Sequence, residues 1–129
     1  MATKRTIANR LKTLHSLLKG LKPRQYDHSI YYINTARSNP KTCGTVGCAL
    51  GHAVTSGKFR NLEIHRVDNE LYSNTENSLM QEADEFFGED AYEKIFSMLA
   101  YHNSRKATRS QVLKRIREFT KHTTGYTFA

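Results

Sequence analysis

Apolar positions recur with a helical period in five stretches of this chain. Ile7, Leu11, Leu14 and Leu18 follow one another at helical steps, and Leu17 and Leu21 widen their stripe. Thr3 or Thr6 can cap the start of that helix, and Gly20 and Pro23 end it. Val46, Ala49, Leu50, Ala53 and Val54 form a second stripe, which predicts a short core helix over 45–54 capped by Thr45. A third helix turns Leu79, Met80, Ala83, Phe86 and Phe87 inward and Glu82, Asp84 and Glu85 outward, with Gly88 where a C-terminal cap belongs. The fourth follows at once, capped by Asp90 and burying Tyr92, Ile95, Phe96 and Leu99. The fifth opens with Thr108 and Gln111 at the spacing of a capping box and presents Val112, Leu113, Ile116 and Phe119 as its apolar face.

The intervening stretches carry weaker patterns. Residues 26–33 concentrate Tyr26, Tyr31 and Tyr32 in a run too short to separate strand from helical turn, and are expected to cover the central helix. Residues 34–41 read as a surface loop turning at Ser38-Asn39-Pro40. The alternation over 59–72 fits a small β-hairpin turning at Asp68-Asn69 as well as it fits an ordered loop. Residues 102–107 form a basic loop, and the tail from 123 carries Tyr126 and Phe128 and either docks or frays. The expected fold is mainly α, a single domain over 1–129 of about five helices around the short helix 45–54.

That central helix carries Gly47, Cys48 and Gly51, although each glycine costs roughly 1 kcal/mol against alanine in a helix interior. Small side chains there imply close packing of neighbouring elements. The run CGTVGCALGHA, Cys43 to Ala53, resembles the signature of a widespread group of small helical bacteriophage and bacterial proteins that brings no established activity. The resemblance extends in outline to an amphipathic first helix at 10–19, the aromatic segment 26–32, the phrase FFG at 86–88 and a Thr-led last helix at 108–119. It implies a phage-type origin and a host cytoplasmic setting. That group often has Trp at the position of His52, so the resemblance implies no role for an imidazole there.

Charge changes the picture more than composition does. Residues 1–24 hold seven basic side chains and no acid, residues 94–129 hold eight against Glu118 alone, and residues 25–93 hold five against eleven acids, so the net charge runs +7, −6 and +7 along the chain. Two basic terminal helices either neutralise the acidic middle or converge on a positive face that attracts phosphate. On the second reading Arg5, Arg10, Lys12, Lys106, Arg109, Lys114, Arg115 and Arg117 contact nucleic-acid phosphates. No apolar run is long enough to cross a bilayer and residues 1–10 lack the apolar stretch of a secretory signal, so the expected setting is cytoplasmic with no membrane partner.

Three candidate chemistries lie around the central motif. Cys43, Cys48 and His52, at the spacing C-x4-C-x3-H, could approach one zinc ion if His28, His65 or His102 supplied a fourth ligand. The two cysteines could instead form a reversible disulfide beside a helix N-terminus, or simply pack as small hydrophobes. Gly44, Thr45 and Gly47 could offer backbone N–H groups to an anion near Lys41. No nucleophile elbow, zinc-protease motif, phosphate-binding loop or dinucleotide fingerprint occurs, so nothing motivates an enzyme. The sequence therefore favours a non-enzymatic binding module directed at nucleic acid, with a host-protein inhibitor and a small zinc or thiol-redox protein as the alternatives.

Overall fold

The computed structural model describes residues 2–22, 25–26, 32–34, 45–68, 70–97, 101 and 107–128, with backbone alone for 32–34 and 45–47. Thr3 caps α1 (Lys4–Lys19), its hydroxyl accepting from the Thr6 N–H at 3.1 Å. Leu11, Leu14 and Leu18 of the predicted stripe are fully buried, joined by Ala8 and His15, while Ile7 is half-buried. The helix ends at Gly20, as expected, where the Gly20 N–H bonds the Ser16 carbonyl.

Residues 45–47 depart from the helix predicted for 45–54. They form strand β2 (Thr45–Gly47), paired antiparallel with β1 (Tyr32–Asn34) in the register Tyr32↔Gly47 and Asn34↔Thr45. Helix α2 (Ala49–Thr55) starts only after an extended Cys48, which occupies the N-cap position without a side-chain cap bond. Thr45 is thus a strand residue and not a cap. β-Branched Thr45 and Val46 favour extended backbone, and a strand partner brought from thirteen residues upstream satisfies their backbone groups. Of the predicted stripe Ala49, Leu50 and Ala53 are buried and Val54 is half-buried, and Gly51 and His52 are buried beside them, with α1 and β3 packed around α2. The loop turn at Ser38-Asn39-Pro40 lies outside the described residues.

β3 (Ile64–Val67) and β4 (Glu70–Ser73) form the antiparallel hairpin, with Asp68 at φ 55° in its turn. Ile64 and Leu71 point inward while His65 and Tyr72 stack on the outside. Helix α3 (Leu79–Phe87) opens with a full capping box between Ser78 and Gln81 and buries Ala83, Phe86 and Phe87. Two of its positions reverse the sequence pattern. Met80 is half exposed, and Glu82 is 95% buried because its carboxylate accepts from the Thr75 hydroxyl at 2.5 Å and the Asn77 amide at 2.9 Å. The preceding loop needed an acceptor there, and a carboxylate in the first turn of a helix also meets the positive end of the helix dipole.

The fourth helix contracts to one π-helical turn, Tyr92–Phe96, closed by Ser97 N–H to the Tyr92 carbonyl at 2.7 Å. Asp90 does not cap it by its side chain. It takes φ 69° in the junction, and the Tyr92 N–H is met by Asp84 Oδ1 at 2.8 Å. Burial raises the Asp84 pKa, opposed by that N–H, with the charges of Asp90 and Glu89 adding to the rise. Gly88 is required beside this junction: its φ is 115°, and a Cβ would meet Ile7 Cγ2 at 3.3 Å. Leu99 and the basic loop 102–106 lie outside the described residues.

Helix α4 (Arg109–Thr124) has the predicted Thr108–Gln111 capping box and runs past the expected end at 119 to a left-handed Gly125. It lies antiparallel to α1. Arg109 at its start reaches the carbonyls ending α1, while Ile7 and Thr123, at the opposite ends of the two helices, both approach Gly88. Leu11, Leu14 and Leu18 of α1 and Val112, Ile116 and Phe119 of α4 belong to one core cluster with α2 and α3, and Phe128 of the tail docks against it. No helix among the described residues is long and apolar enough to cross a membrane.

Candidate functional site

Because α1 and α4 pack side by side, their outward positions join into one surface. On α1 the exposed cations Arg5, Lys12 and Lys19 recur every seven residues, a spacing that stacks them along one face over about 21 Å of helix. On α4 the exposed cations Lys114, Arg117 and Lys121 recur at three and four and share a face in the same way. No acid occurs in α1, and Glu118 is the one acid in α4.

His15 locates these two faces relative to each other. It is buried between the helices, edge-on to the Phe128 ring at 4.9 Å, and its Nε2 accepts from Arg117 Nη1 at 3.0 Å. That bond fixes Nε2 as the unprotonated nitrogen. Burial lowers the His15 pKa, and the nearby charges of Arg117 and then Lys19 lower it further. An imidazole feeling cations from both helices lies under the line where their basic faces meet.

Four of the eight residues expected to contact phosphate lie on this surface: Arg5, Lys12, Lys114 and Arg117. Arg10, Arg109 and Arg115 are instead tied to backbone carbonyls. Arg10 Nη1 donates to the Phe86 carbonyl at 3.0 Å with its guanidinium 3.9 Å above the Phe86 ring. Arg109 donates to the Leu21 carbonyl and, at 3.4 Å, to that of Lys19. Arg115 bonds the Lys94 carbonyl at 2.8 Å and stands 4.8 Å from the Tyr101 ring centre. Each such arginine satisfies a carbonyl near the end of a neighbouring element, a role that guanidinium geometry suits. Lys106 lies outside the described residues. Lys19 and Lys121 join the surface although the sequence reading passed over them. The seven-residue interval from Lys12 to Lys19 and from Lys114 to Lys121 was the signal that would have found them.

Of the Cys43, Cys48 and His52 constellation, Cys43 lies outside the described residues. Cys48 is a buried thiol at the start of α2. His52 Nε2 lies 2.6 Å from the Gln25 carbonyl oxygen, so this nitrogen carries the proton and donates it. Burial lowers the His52 pKa and the bond to Gln25 partly restores it. Among the described residues no three His, Cys, Asp or Glu side chains come together to hold a metal ion. The anion-binding turn expected at Gly44, Thr45 and Gly47 also changes, because Thr45 and Gly47 belong to β2 rather than to a helix start; Gly44 is outside the described residues.

Comparison of the chain with protein-family models, with curated proteins and with solved structures finds no match in any of the three.

Proposed function

We propose that the protein binds nucleic acid through the paired outer faces of α1 and α4, gripping phosphates and not reading bases. The observation that carries this reading is the antiparallel packing of α1, with exposed Arg5, Lys12 and Lys19, against α4, with exposed Lys114, Arg117 and Lys121, and with Glu118 the single acid of the two helices. The groups offered on these two faces are lysine and arginine side chains, which suit phosphate oxygens. Contacts are therefore electrostatic and largely independent of sequence.

Fluorescence anisotropy on labelled duplex DNA, single-stranded DNA and RNA tests the reading. With up to six phosphates neutralised, log K falls linearly with log salt at a slope of about −4 to −5. Absence of salt-sensitive binding to all three at about 50 mM salt refutes it.

A further inference from the structure

The tail beyond α4 returns to the line where the two basic faces meet. Gly125, at φ 81°, turns the chain out of the helix, and the Tyr126 N–H bonds Thr124 Oγ1 at 3.1 Å. Phe128 then lies edge-on to His15, the ring centres 4.9 Å apart. His15 is bonded by Arg117, which stands seven residues and about 10 Å of helix before Thr124. The four residues from Thr124 to Phe128 reach about 13 Å when extended, so the tail has little slack and runs back along α4 beside the seam. Tyr126 is midway. It is level with the part of α4 that carries Lys121. Across the seam is the part of α1 from Ile7, which meets Gly88 as Thr123 does, to His15, and this part carries Lys12.

The Tyr126 side chain is 48% exposed, and among the described residues it makes no hydrogen bond or ring contact. Tyr72 is as exposed but differs in both respects that matter. His65 already stacks on its ring at 5.8 Å, and its neighbour on that face of the hairpin is Glu70, an acid. Tyr126 has cations on either side, and its backbone is held at Thr124 and again through Phe128, so little freedom is left to lose when a partner meets the ring.

An aromatic ring presented between two rows of cations suits an unpaired strand, whose backbone follows the charges while a base stacks on the ring. A duplex offers the same phosphates, but its base faces are covered by the neighbouring base pairs.

We propose that Tyr126 is a base-stacking residue of the α1 and α4 face, and that the nucleic acid this face takes is single-stranded. The proposal rests on the phosphate-gripping reading above and adds to it one stacked base, a contact tolerant of sequence because every base has a π-face.

The test is fluorescence anisotropy of the full chain at about 50 mM salt with a labelled oligothymidylate, an abasic strand of the same length and a duplex of the same length. Oligothymidylate is expected to bind more tightly than the duplex. Tyr126→Ala should weaken oligothymidylate by about five- to a hundredfold while leaving the abasic strand and the duplex within about twofold. Tyr126→Phe should retain the parent affinity. Tyr126→Trp gives the chain its one tryptophan, and the emission of that indole should be quenched by oligothymidylate and not by the duplex. All three variants keep the backbone bond to Thr124, so none is expected to alter the fold. The proposal alone is overturned by Tyr126→Ala binding oligothymidylate as the parent does, by losses of equal size on oligothymidylate and the abasic strand, by an unquenched indole, or by a duplex bound more tightly than the single strand. Absence of binding to all three, abasic strand included, overturns the proposal together with the reading it rests on.

Discussion

The two sides of α1 use the same kind of residue for different ends. Towards α4, Arg5, Lys12 and Lys19 remain exposed and add to a field shared with Lys114, Arg117 and Lys121. Towards α3, Arg10 lies over the Phe86 ring, bonds the Phe86 carbonyl, and has its pKa lowered by burial while remaining charged. The difference is whether an unpaired carbonyl of a neighbouring element lies within reach. Where one does, a guanidinium becomes part of the framework; on the α4 side Arg117 is held by the His15 imidazole and the lysines are left to solvent and to partners.

The largest effect should come from reversing the exposed side. Lys12→Glu with Lys114→Glu is expected to lower nucleic-acid affinity by about a hundredfold at low salt while leaving the fold intact. Anisotropy beside a circular-dichroism melt checks both halves of that statement. If the affinity held, the exposed face would not be the interface.

Removing a tied arginine should do the opposite. Arg10→Ala forfeits a charge-assisted bond to Phe86 and a cation–π contact, so urea unfolding should show a loss of about 1–3 kcal/mol. Nucleic-acid affinity should change by less than about threefold, since Arg10 faces away from the seam. A variant as stable as the parent but poor in binding would exchange the roles assigned to the two sides.

His15 sharpens the comparison through pH. Its folded pKa is below the ordinary value, so as pH falls the unfolded chain takes up the proton first. The stabilisation is complete above about pH 6.5 and is lost as pH drops from there through the folded pKa. His52, lowered by burial, acts with the same sign. Urea midpoints at about pH 7.5 and 5.5 should therefore fall on acidification, and His15→Gln should lessen the fall. No difference between the parent and this variant would mean that the seam does not resist protonation.

The smallest effect is expected from Lys12→Ala alone. Its salt slope should be shallower by about 1, with stability unchanged to within about 0.5 kcal/mol.

The elements legible in the sequence were those defined by neighbours close along the chain. Thr108 with Gln111 caps α4 as the local spacing requires, Thr3, one of the two threonines the sequence offered, caps α1, and Asp68 adopts the turn between two alternating runs. Ser78 with Gln81 offers the same capping spacing and was equally readable. Glu82 was not, since helical phase places it only at the edge of the apolar stripe, beside Leu79 and Phe86, and its acceptor role depends on Thr75 and Asn77 in the preceding loop. The strand at Thr45–Gly47 was hidden for a similar reason, because its partner is β1 and no feature of 45–47 specifies that pairing.

Taken alone, the amino-acid order determined a mainly helical chain, its two long amphipathic helices and the gathering of positive charge at both ends, because these depend on periodicity and on contacts three or four residues apart, while it left 59–72 open between a hairpin and a loop. Tertiary structure decided which cations remain outside, which carboxylate is buried and where a strand replaces the first turn of a helix. Those outcomes depend on carbonyls, hydroxyls and backbone edges contributed by distant segments, and a side chain's surroundings exist only once those segments have packed together.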